Sequence, residues 1–173
     1  MLTARFPIGK RIIFQRKYEG SKMQAGRVAG VDEAHNIIYA VINNGTQQIQ
    51  IRPNEDIVRG EFDYYMPHKD YDTLETRQLC DEMNIFIALY MVFREYNIDH
   101  ADHELHDIIH DFFHGAMTFE NVRTVNYAML STILSTGRFD EVLIVREVPE
   151  ASELLDEMHE NGMLPLKKKE ASV

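Results

Sequence analysis

Residues 36–52 carry the strongest structural signal in the chain, with the sequence Asn36-Ile37-Ile38-Tyr39-Ala40-Val41-Ile42-Asn43-Asn44-Gly45-Thr46-Gln47-Gln48-Ile49-Gln50-Ile51-Arg52. The first seven residues are rich in β-branched side chains, which is typical of a strand. The Asn-Gly pair tolerates the positive φ angles of a type I′ turn, whose twist matches that of a hairpin. Residues 47–52 then alternate polar and apolar side chains, as a half-buried strand does. The stretch therefore predicts a β-hairpin.

Three further strands are predicted around this hairpin. They cover residues 9–15, 25–32 and 57–59, with loops at residues 20–22 and 53–56 between them. Gly26 and Gly30 in the second strand suit a bend or a β-bulge. Helical periodicity is absent from this part of the chain. Five short strands in about 50 residues predict a small β-barrel over residues 1–60.

This segment resembles a known group of small barrels. The residues that carry the resemblance are Gly26-Arg27-Val28-Ala29-Gly30-Val31, followed by Ile37-Ile38-Tyr39-Ala40-Val41. Together with the strand spacing, they resemble the SH3-like barrels of the KOW and Tudor families. The resemblance implies binding of nucleic acid or of peptides. The aromatic residues Phe14, Tyr18 and Tyr39 are too few and too scattered to predict the aromatic cage of methyl-reading Tudor barrels.

The rest of the chain predicts a mainly α-helical domain over residues 72–164, after a linker at 61–71 and before a disordered tail at 165–173. A first helix begins near Asp72 or Thr73, either of which can cap it, and ends near residues 96–97. Its apolar residues repeat at helical spacing and predict one buried face. These residues are Leu79, Met83, Phe86, Ile87 and Tyr90.

Further helices are predicted over residues 101–114, from Thr118 to Gly137, and after Pro149 until residues 161–162. The apolar run 142–145 predicts a short strand. Cys80 lies within the first helix and is expected to be a buried, inert thiol. The predicted fold class is α+β, with an SH3-like barrel followed by helices.

The charge of the chain is unevenly distributed. The 173 residues carry 18 basic and 28 acidic side chains, which gives a net charge of −10. Residues 1–59 hold nine basic and five acidic side chains, whereas the remainder holds nine basic and 23 acidic ones. This asymmetry indicates two modules with different partners, although ordinary sampling could also produce it. A single cysteine, the lack of a signal peptide and the lack of a membrane-length apolar run predict a cytoplasmic protein with no membrane partner.

The basic residues of the N-terminal module are grouped mainly around its first strand. Converging basic side chains bind phosphates because each contact releases a condensed counterion, and a tyrosine among them can stack on a base. No recognition helix is present, so binding would be phosphate-directed with weak sequence specificity. A solvated loop with solubilising charges is the alternative interpretation. The predicted contact residues are Lys10, Arg11, Arg16, Lys17, Tyr18, Lys22, Arg27 and Arg52.

Five of the eight histidines lie between residues 100 and 114. His103, His106, His110 and His114 share one face of the predicted helix, which makes them candidate metal ligands. A closed zinc site needs four ligands, so another element would have to contribute. A solvated polar face is the simpler interpretation, and the sequence predicts no metal or other cofactor.

Residues 108–111, Ile-Ile-His-Asp, resemble the apolar-apolar-His-Asp core of HD-type phosphohydrolases. That resemblance implies His68 as an upstream ligand and a later residue such as Asp140 as the distal one. No Walker A loop, GxGxxG, GxSxG or Cys-His nucleophile pattern is present. The HD-type pattern is therefore the only enzymatic signal, and a non-enzymatic protein is expected.

Two functions fit these patterns ahead of the third alternative, an HD-type metal phosphohydrolase. The first is a nucleic-acid-binding regulatory protein, with DNA favoured over RNA, in which the barrel holds nucleic acid and the acidic domain contacts a protein partner or self-associates. This layout resembles that of phage DNA-binding proteins with a KOW-like N-terminal barrel and a separate C-terminal region, which bind DNA without strong sequence preference. The second is an acidic inhibitor or adaptor that docks on a basic protein, including as a nucleic-acid mimic.

Overall fold

Five antiparallel strands precede a group of helices in the computed structural model, which describes residues 1–17, 23–43, 45–60, 63, 73–98 and 105–164. A short helix α1 (Leu2–Arg5), which the sequence did not predict, comes first. The strands are β1 (Arg11–Arg16), β2 (Gln24–Asp32), β3 (Ile37–Ile42), β4 (Gln47–Ile51) and β5 (Asp56–Gly60). The remaining helices are α2 (Leu74–Glu95), α3 (Leu105–Phe113), α4 (Phe119–Ser135), α5 (Glu141–Glu147) and α6 (Ala151–Glu160). The predicted α+β class is therefore confirmed.

The strands form one sheet in the order β4-β3-β2-β1-β5. The predicted hairpin is present, with Ile42 opposite Gln47 and Ile38 opposite Ile51. The register between β2 and β3 shifts between Val28 and Gly30, where the glycines predicted a bulge. The sheet is not closed into a barrel, because β4 and β5 lie at its two edges without pairing with each other in the described part of the chain. The edge strand β4 is short and rich in glutamine, a composition that tolerates solvent at an edge.

The two faces of the sheet contribute to different hydrophobic clusters. Ile12 and Phe14 of β1 face a cluster within the sheet itself, which Phe6, at the end of α1, joins. Ile13 and Ala25 lie opposite each other on β1 and β2 and belong to the core of the helical part. Side chains alternate between the faces of a strand. The sheet and the helices therefore share a core instead of being joined only by the linker 61–71, nearly all of which lies outside the described residues.

Helix α2 forms the centre of the helical part. Thr73, one of the two predicted capping residues, caps it: its side chain accepts a hydrogen bond from the Thr76 backbone N–H at 3.2 Å. Every residue from Ile85 to Phe93 is buried. The predicted single buried face is thus too narrow, because α2 packs against both β2 and α4. A helix that is apolar all round is buried on all sides. Cys80 is buried as expected, and burial raises the pKa of its thiol.

The predicted strand at residues 142–145 is wrong, because these residues lie in helix α5. Asp140 caps this helix by accepting a hydrogen bond from the Leu143 backbone N–H at 2.8 Å. Ile144 and Val148, one turn apart, are both buried. A run of four apolar residues has too little periodicity to distinguish a strand from a buried helix, so the cap was the more informative signal.

The last helix also differs slightly from expectation. Pro149 precedes the N-cap residue Glu150 instead of lying in the first turn, and Asn161 ends the helix as predicted. The predicted tail 165–173 lies outside the described residues. No helix in the described ranges is both long and apolar enough to cross a membrane.

Gly26 lies where β2 approaches β3 too closely to admit a Cβ atom. A Cβ atom at this position would lie 2.6 Å from the Val41 carbonyl oxygen and 2.8 Å from Ile42 Cγ2. We expect Gly26→Ala to lower the free energy of unfolding by about 1–3 kcal/mol, because backbone must move to admit the methyl group. Urea denaturation measures the effect. Gly30→Ala is the control on the same strand, since nothing lies within 4 Å of its Cβ position. Equal losses in both variants would contradict this steric reason.

Candidate nucleic-acid interface

Two of the predicted phosphate contacts, Arg11 and Arg27, form ion pairs with the helical part of the chain. They are direct partners across β1 and β2. Arg11 Nε lies 2.8 Å from Glu95 Oε2, and Arg27 Nε lies 2.7 Å from Glu95 Oε1. Both guanidinium groups also pair with Glu147 of α5, the Arg27 Nη2 atom at 2.6 Å. We call Arg11, Arg27, Glu95 and Glu147 the charge quartet.

Burial distinguishes the two arginines of the charge quartet. The Arg11 side chain is 4% exposed, whereas that of Arg27 is 36% exposed. The Tyr96 hydroxyl donates to Glu147 Oε1 at 3.3 Å, and burial, followed by the Glu147 charge, raises the pKa of Tyr96. The quartet thus joins the sheet to α2 and α5 with no net charge. We leave Arg11 and Arg27 out of the interface because each guanidinium group pairs with two carboxylates, those of Glu95 and Glu147.

Three other predicted residues lie at the opposite end of β1. Arg16 Nη1 donates to the Gln50 carbonyl oxygen at 2.9 Å and to Asp56 Oδ2 at 2.6 Å. Arg52 Nη2 donates to Gln50 Oε1 at 3.2 Å. Lys17 follows Arg16 directly and is exposed. We call Arg16, Lys17 and Arg52 the basic end of the sheet; β4 and the turn before β5 bring Arg52 to it.

Lys10 does not belong to the basic end. It precedes β1 and donates from Nζ to the Arg5 carbonyl oxygen at 3.2 Å. Arg16 lies six positions further along the chain, which is roughly 20 Å at about 3.3 Å per residue of strand. Tyr18 and Lys22, the remaining predicted contacts, lie outside the described residues. The structure therefore groups three of the eight predicted residues at one place.

A cleft of about 410 Å³ opens beside the basic end. We call it the arginine cleft, since Arg16 and Arg94 both line it. Arg94 lies in the last turn of α2, where its Nε donates to the Tyr90 hydroxyl at 3.0 Å and its guanidinium lies over the Tyr90 ring. The sequence prediction missed Arg94 because it lies in the acidic half of the chain, and no local pattern connects it with β1.

The other walls of the arginine cleft are amide and apolar side chains. The amides can donate and accept hydrogen bonds, and the apolar groups can contact a flat ring. None of the described residues that line this cleft is acidic, although the chain has a net charge of −10. The amides belong to Gln24, Asn43, Gln47 and Asn97, and the apolar side chains to Met23, Ile42 and Ile49.

The predicted histidine face is only partly described. His110 and His114 stack, with ring centroids 4.1 Å apart, and both are exposed. His114 Nδ1 lies 2.9 Å from the His110 carbonyl oxygen. His103 lies outside the described residues, and of His106 only the backbone is described. Among the described side chains, no three histidine, cysteine or acidic groups are arranged to hold a metal ion.

The HD-type arrangement is not assembled from described residues either. His68 lies outside them, and Asp140 caps α5 with its side chain. His110 Nδ1 lies 3.7 Å from Asp111 Oδ1, between neighbours in sequence. The His-Asp pair therefore has no further described ligand beside it.

A second cleft, of about 1000 Å³, lies between α2, α4 and α6. We call it the acidic cleft, because six of its lining residues are acidic and one, Arg123, is basic. Phe119, Ile85 and Leu154 give it an apolar portion. The acidic residues are Asp81, Glu82, Glu150, Glu153, Asp156 and Glu157.

Arg123 holds the walls of the acidic cleft together. Its Nη1 atom lies 2.6 Å from Glu82 Oε1 on α2, and its Nη2 atom pairs with Glu157 on α6. The Tyr127 hydroxyl donates to Glu157 Oε2 at 2.6 Å. Burial raises the pKa of Glu82, whereas the hydrogen bond from Arg123 lowers the pKa of Glu157. The Asn126 amide donates to Glu82 Oε2 at 3.0 Å, which completes the network.

Comparisons with known proteins add no relationship to this geometry: no protein-family model, curated protein or solved structure matches the chain.

Proposed function

We propose that this protein is a non-enzymatic nucleic-acid-binding protein that contacts phosphates through the basic end of its sheet, with DNA favoured over RNA. The observation that carries the proposal is the grouping of Arg16, Lys17 and Arg52 beside a cleft with a fourth cation, Arg94. Guanidinium groups suit phosphate because their donors match two phosphate oxygens at once. Gln50 and Asp56 hold the two sheet arginines at this place.

The resemblance of residues 1–60 to KOW and Tudor barrels is the second support for this proposal. The strand order leaves β1 between β2 and β5, so that the end of β1 lies beside the turn before β5. The net charge of −10 repels DNA at long range. At physiological salt the Debye length is about 8 Å, so a local basic surface can still bind phosphate.

A salt titration of binding to labelled DNA and RNA tests the proposal. We expect log affinity for a duplex to fall linearly with log salt between about 50 and 200 mM, with a slope near −0.9 per phosphate contacted. We expect Lys17→Gln combined with Arg52→Gln to weaken binding across sequences. The same double variant is expected to reduce the magnitude of the slope by about one for each phosphate that it no longer neutralises. Fluorescence anisotropy of the labelled strand measures both quantities.

The matched control is Arg138→Gln combined with Arg146→Gln. It removes the same two charges from exposed positions between α4 and α5 and within α5. We expect this control to keep the wild-type slope. Equal slopes for both double variants, or a lack of binding at the lowest salt, would refute a phosphate contact at the basic end.

A second candidate function is an inhibitor or adaptor that docks on a basic protein. The acidic cleft favours it, because its lining residues combine six carboxyl groups with an apolar portion. Under this alternative, the protein would fail to bind nucleic acid and would compete with nucleic acid for a basic protein. The same anisotropy assay, run with a basic DNA-binding protein and its labelled site, separates the two functions.

A further inference from the structure

We propose that the arginine cleft receives an unpaired nucleotide, so that the protein prefers single-stranded nucleic acid over a duplex. This inference rests on the proposed function and names the form of nucleic acid that the same site recognises. The volume of the cleft, about 410 Å³, lies in the range of about 300–1000 Å³ typical of small-molecule sites. A cleft of this size can take one nucleotide, whereas a double helix is too wide to enter it.

The walls of the arginine cleft match the three parts of a nucleotide. Arg16 already pairs with Asp56, and Arg94 donates to the Tyr90 hydroxyl. A guanidinium carries five N–H donors and can bind more than one partner, so both side chains can also face a phosphate in the cleft. The amides of Gln24 and Asn97 can donate to and accept from the edge of a base. Ile42 and Ile49 supply apolar surface for the face of a base.

Base pairing is the reason that this cleft favours a single strand over a duplex. A base in a duplex is stacked and its Watson–Crick edge is occupied, so it must leave the stack to enter a recessed site. An unpaired base avoids most of that cost. The phosphate contacts at the basic end are shared by both forms, whereas the cleft contacts are open only to the unpaired form.

The cleft is also built from parts of the chain that are distant in sequence. Arg16 ends β1, Asn43 and Gln47 lie on either side of the β3–β4 turn, and Asn97 follows α2. Asn43 and Asn97 both adopt positive φ angles, 52° and 54°. Asn43 Nδ2 donates to Gln47 Oε1 at 3.0 Å, which holds these two lining amides against each other. Sheet and helix must therefore be docked for the site to exist.

The test compares four probes of one sequence with the full chain at constant salt. The probes are a single DNA strand, the same strand as RNA, a blunt DNA duplex and that duplex with one unpaired base. We expect the DNA strand and the bulged duplex to bind several-fold more tightly than the blunt duplex, and the RNA arm identifies the sugar preference. Tighter binding of the blunt duplex would overturn the proposal.

A pair of uncharged variants separates this proposal from the proposed function. Gln24→Ala with Asn97→Gly removes two cleft amides and keeps a residue that favours the positive φ at position 97. We expect it to weaken single-strand binding about fivefold or more and to leave blunt-duplex binding unchanged. The control, Gln48→Ala with Asn54→Gly, alters exposed amides outside the cleft and is expected to change neither.

The possible failures are distinguishable. If wild-type protein binds every probe equally and the cleft variant changes nothing, the cleft does not receive a base, while phosphate binding at the basic end still stands. If no probe binds at the lowest salt, the proposed function fails together with this inference. Thermal denaturation of both double variants shows whether a reduced affinity reflects impaired folding.

Discussion

Replacing Glu95 with alanine is expected to lower the free energy of unfolding by about 3–5 kcal/mol, because it breaks a buried ion-pair network from one side. Glu95 accepts from Arg11 at 2.8 Å and from Arg27 at 2.7 Å. Without it, two guanidinium groups on neighbouring strands share the single carboxylate of Glu147. Alanine is the best helix former, so the loss does not arise from helix propensity. Urea denaturation followed by far-UV circular dichroism measures it.

Glu75→Ala is the matched control for this prediction. Glu75 lies in the first turn of the same helix and is exposed. Its removal is expected to cost less than about 1 kcal/mol, the contribution of a carboxylate near a helix N-terminus. Similar losses for both variants would show that the charge quartet adds nothing beyond an ordinary surface glutamate.

A fully apolar quartet provides the converse test. We expect the combination of Arg11→Met, Arg27→Met, Glu95→Leu and Glu147→Leu to retain most of the wild-type stability. Replacing a whole buried ionic network with apolar side chains is often neutral or stabilising, whereas removing one partner is not. A quadruple variant that is less stable than Glu95→Ala would mean that the charges themselves determine how sheet and helices dock.

Replacing Arg123 with methionine is expected to destabilise the protein by about 3 kcal/mol at pH 7 and by less near pH 4.5. The change leaves Glu82 buried without its basic partner. Burial already raises the pKa of Glu82 above its ordinary 4.5, and loss of Arg123 raises it further. A carboxyl whose folded pKa is raised contributes stability below its unfolded pKa and loses that contribution as pH rises through the folded pKa.

At Glu157, too, the loss of Arg123 costs more stability as pH rises. The hydrogen bond from Arg123 lowers its pKa in the folded protein, which stabilises the fold above the unfolded value near 4.5. Arg123→Met removes that contribution, so the difference between the two proteins widens as pH rises from about 4.5 to 7. Urea midpoints at several pH values measure the difference. A difference that is constant with pH, or that matches the exposed control Arg138→Met, would exclude coupling between Arg123 and these carboxyl groups.

The hairpin and the helix N-termini could be predicted because the signals for them lie within a few residues of each other. The hairpin of β3 and β4 follows from a β-branched stretch, an Asn-Gly pair and a polar-apolar alternation, signals that require no distant partner. Thr118 caps α4 as predicted, and Thr73, one of two predicted candidates, caps α2, since a capping side chain bonds within its own first turn. The strand predicted at residues 142–145 is wrong because runs of four apolar residues occur in strands and buried helices alike.

The candidate site depended much less on local sequence. Basic residues around β1 predicted one phosphate surface, yet alternation along the strands turns Arg11 and Arg27 toward Glu95 and Glu147. Those carboxylates are distant in sequence, and no local pattern indicates such partners. The same docking of α2 beside the sheet brings Arg94 to the arginine cleft.

The strands, most of the helices and the basic character of the N-terminal third could thus be derived from the amino-acid order, because each depends on neighbours within a few residues. Which basic side chains join the sheet to the helices and which line a cleft could not be derived in that way. Ion pairing and cleft formation depend on contacts between segments that the chain separates by tens of residues. The docked sheet and helices therefore assign separate roles to Arg11 and Arg16, which are chemically identical residues of one strand.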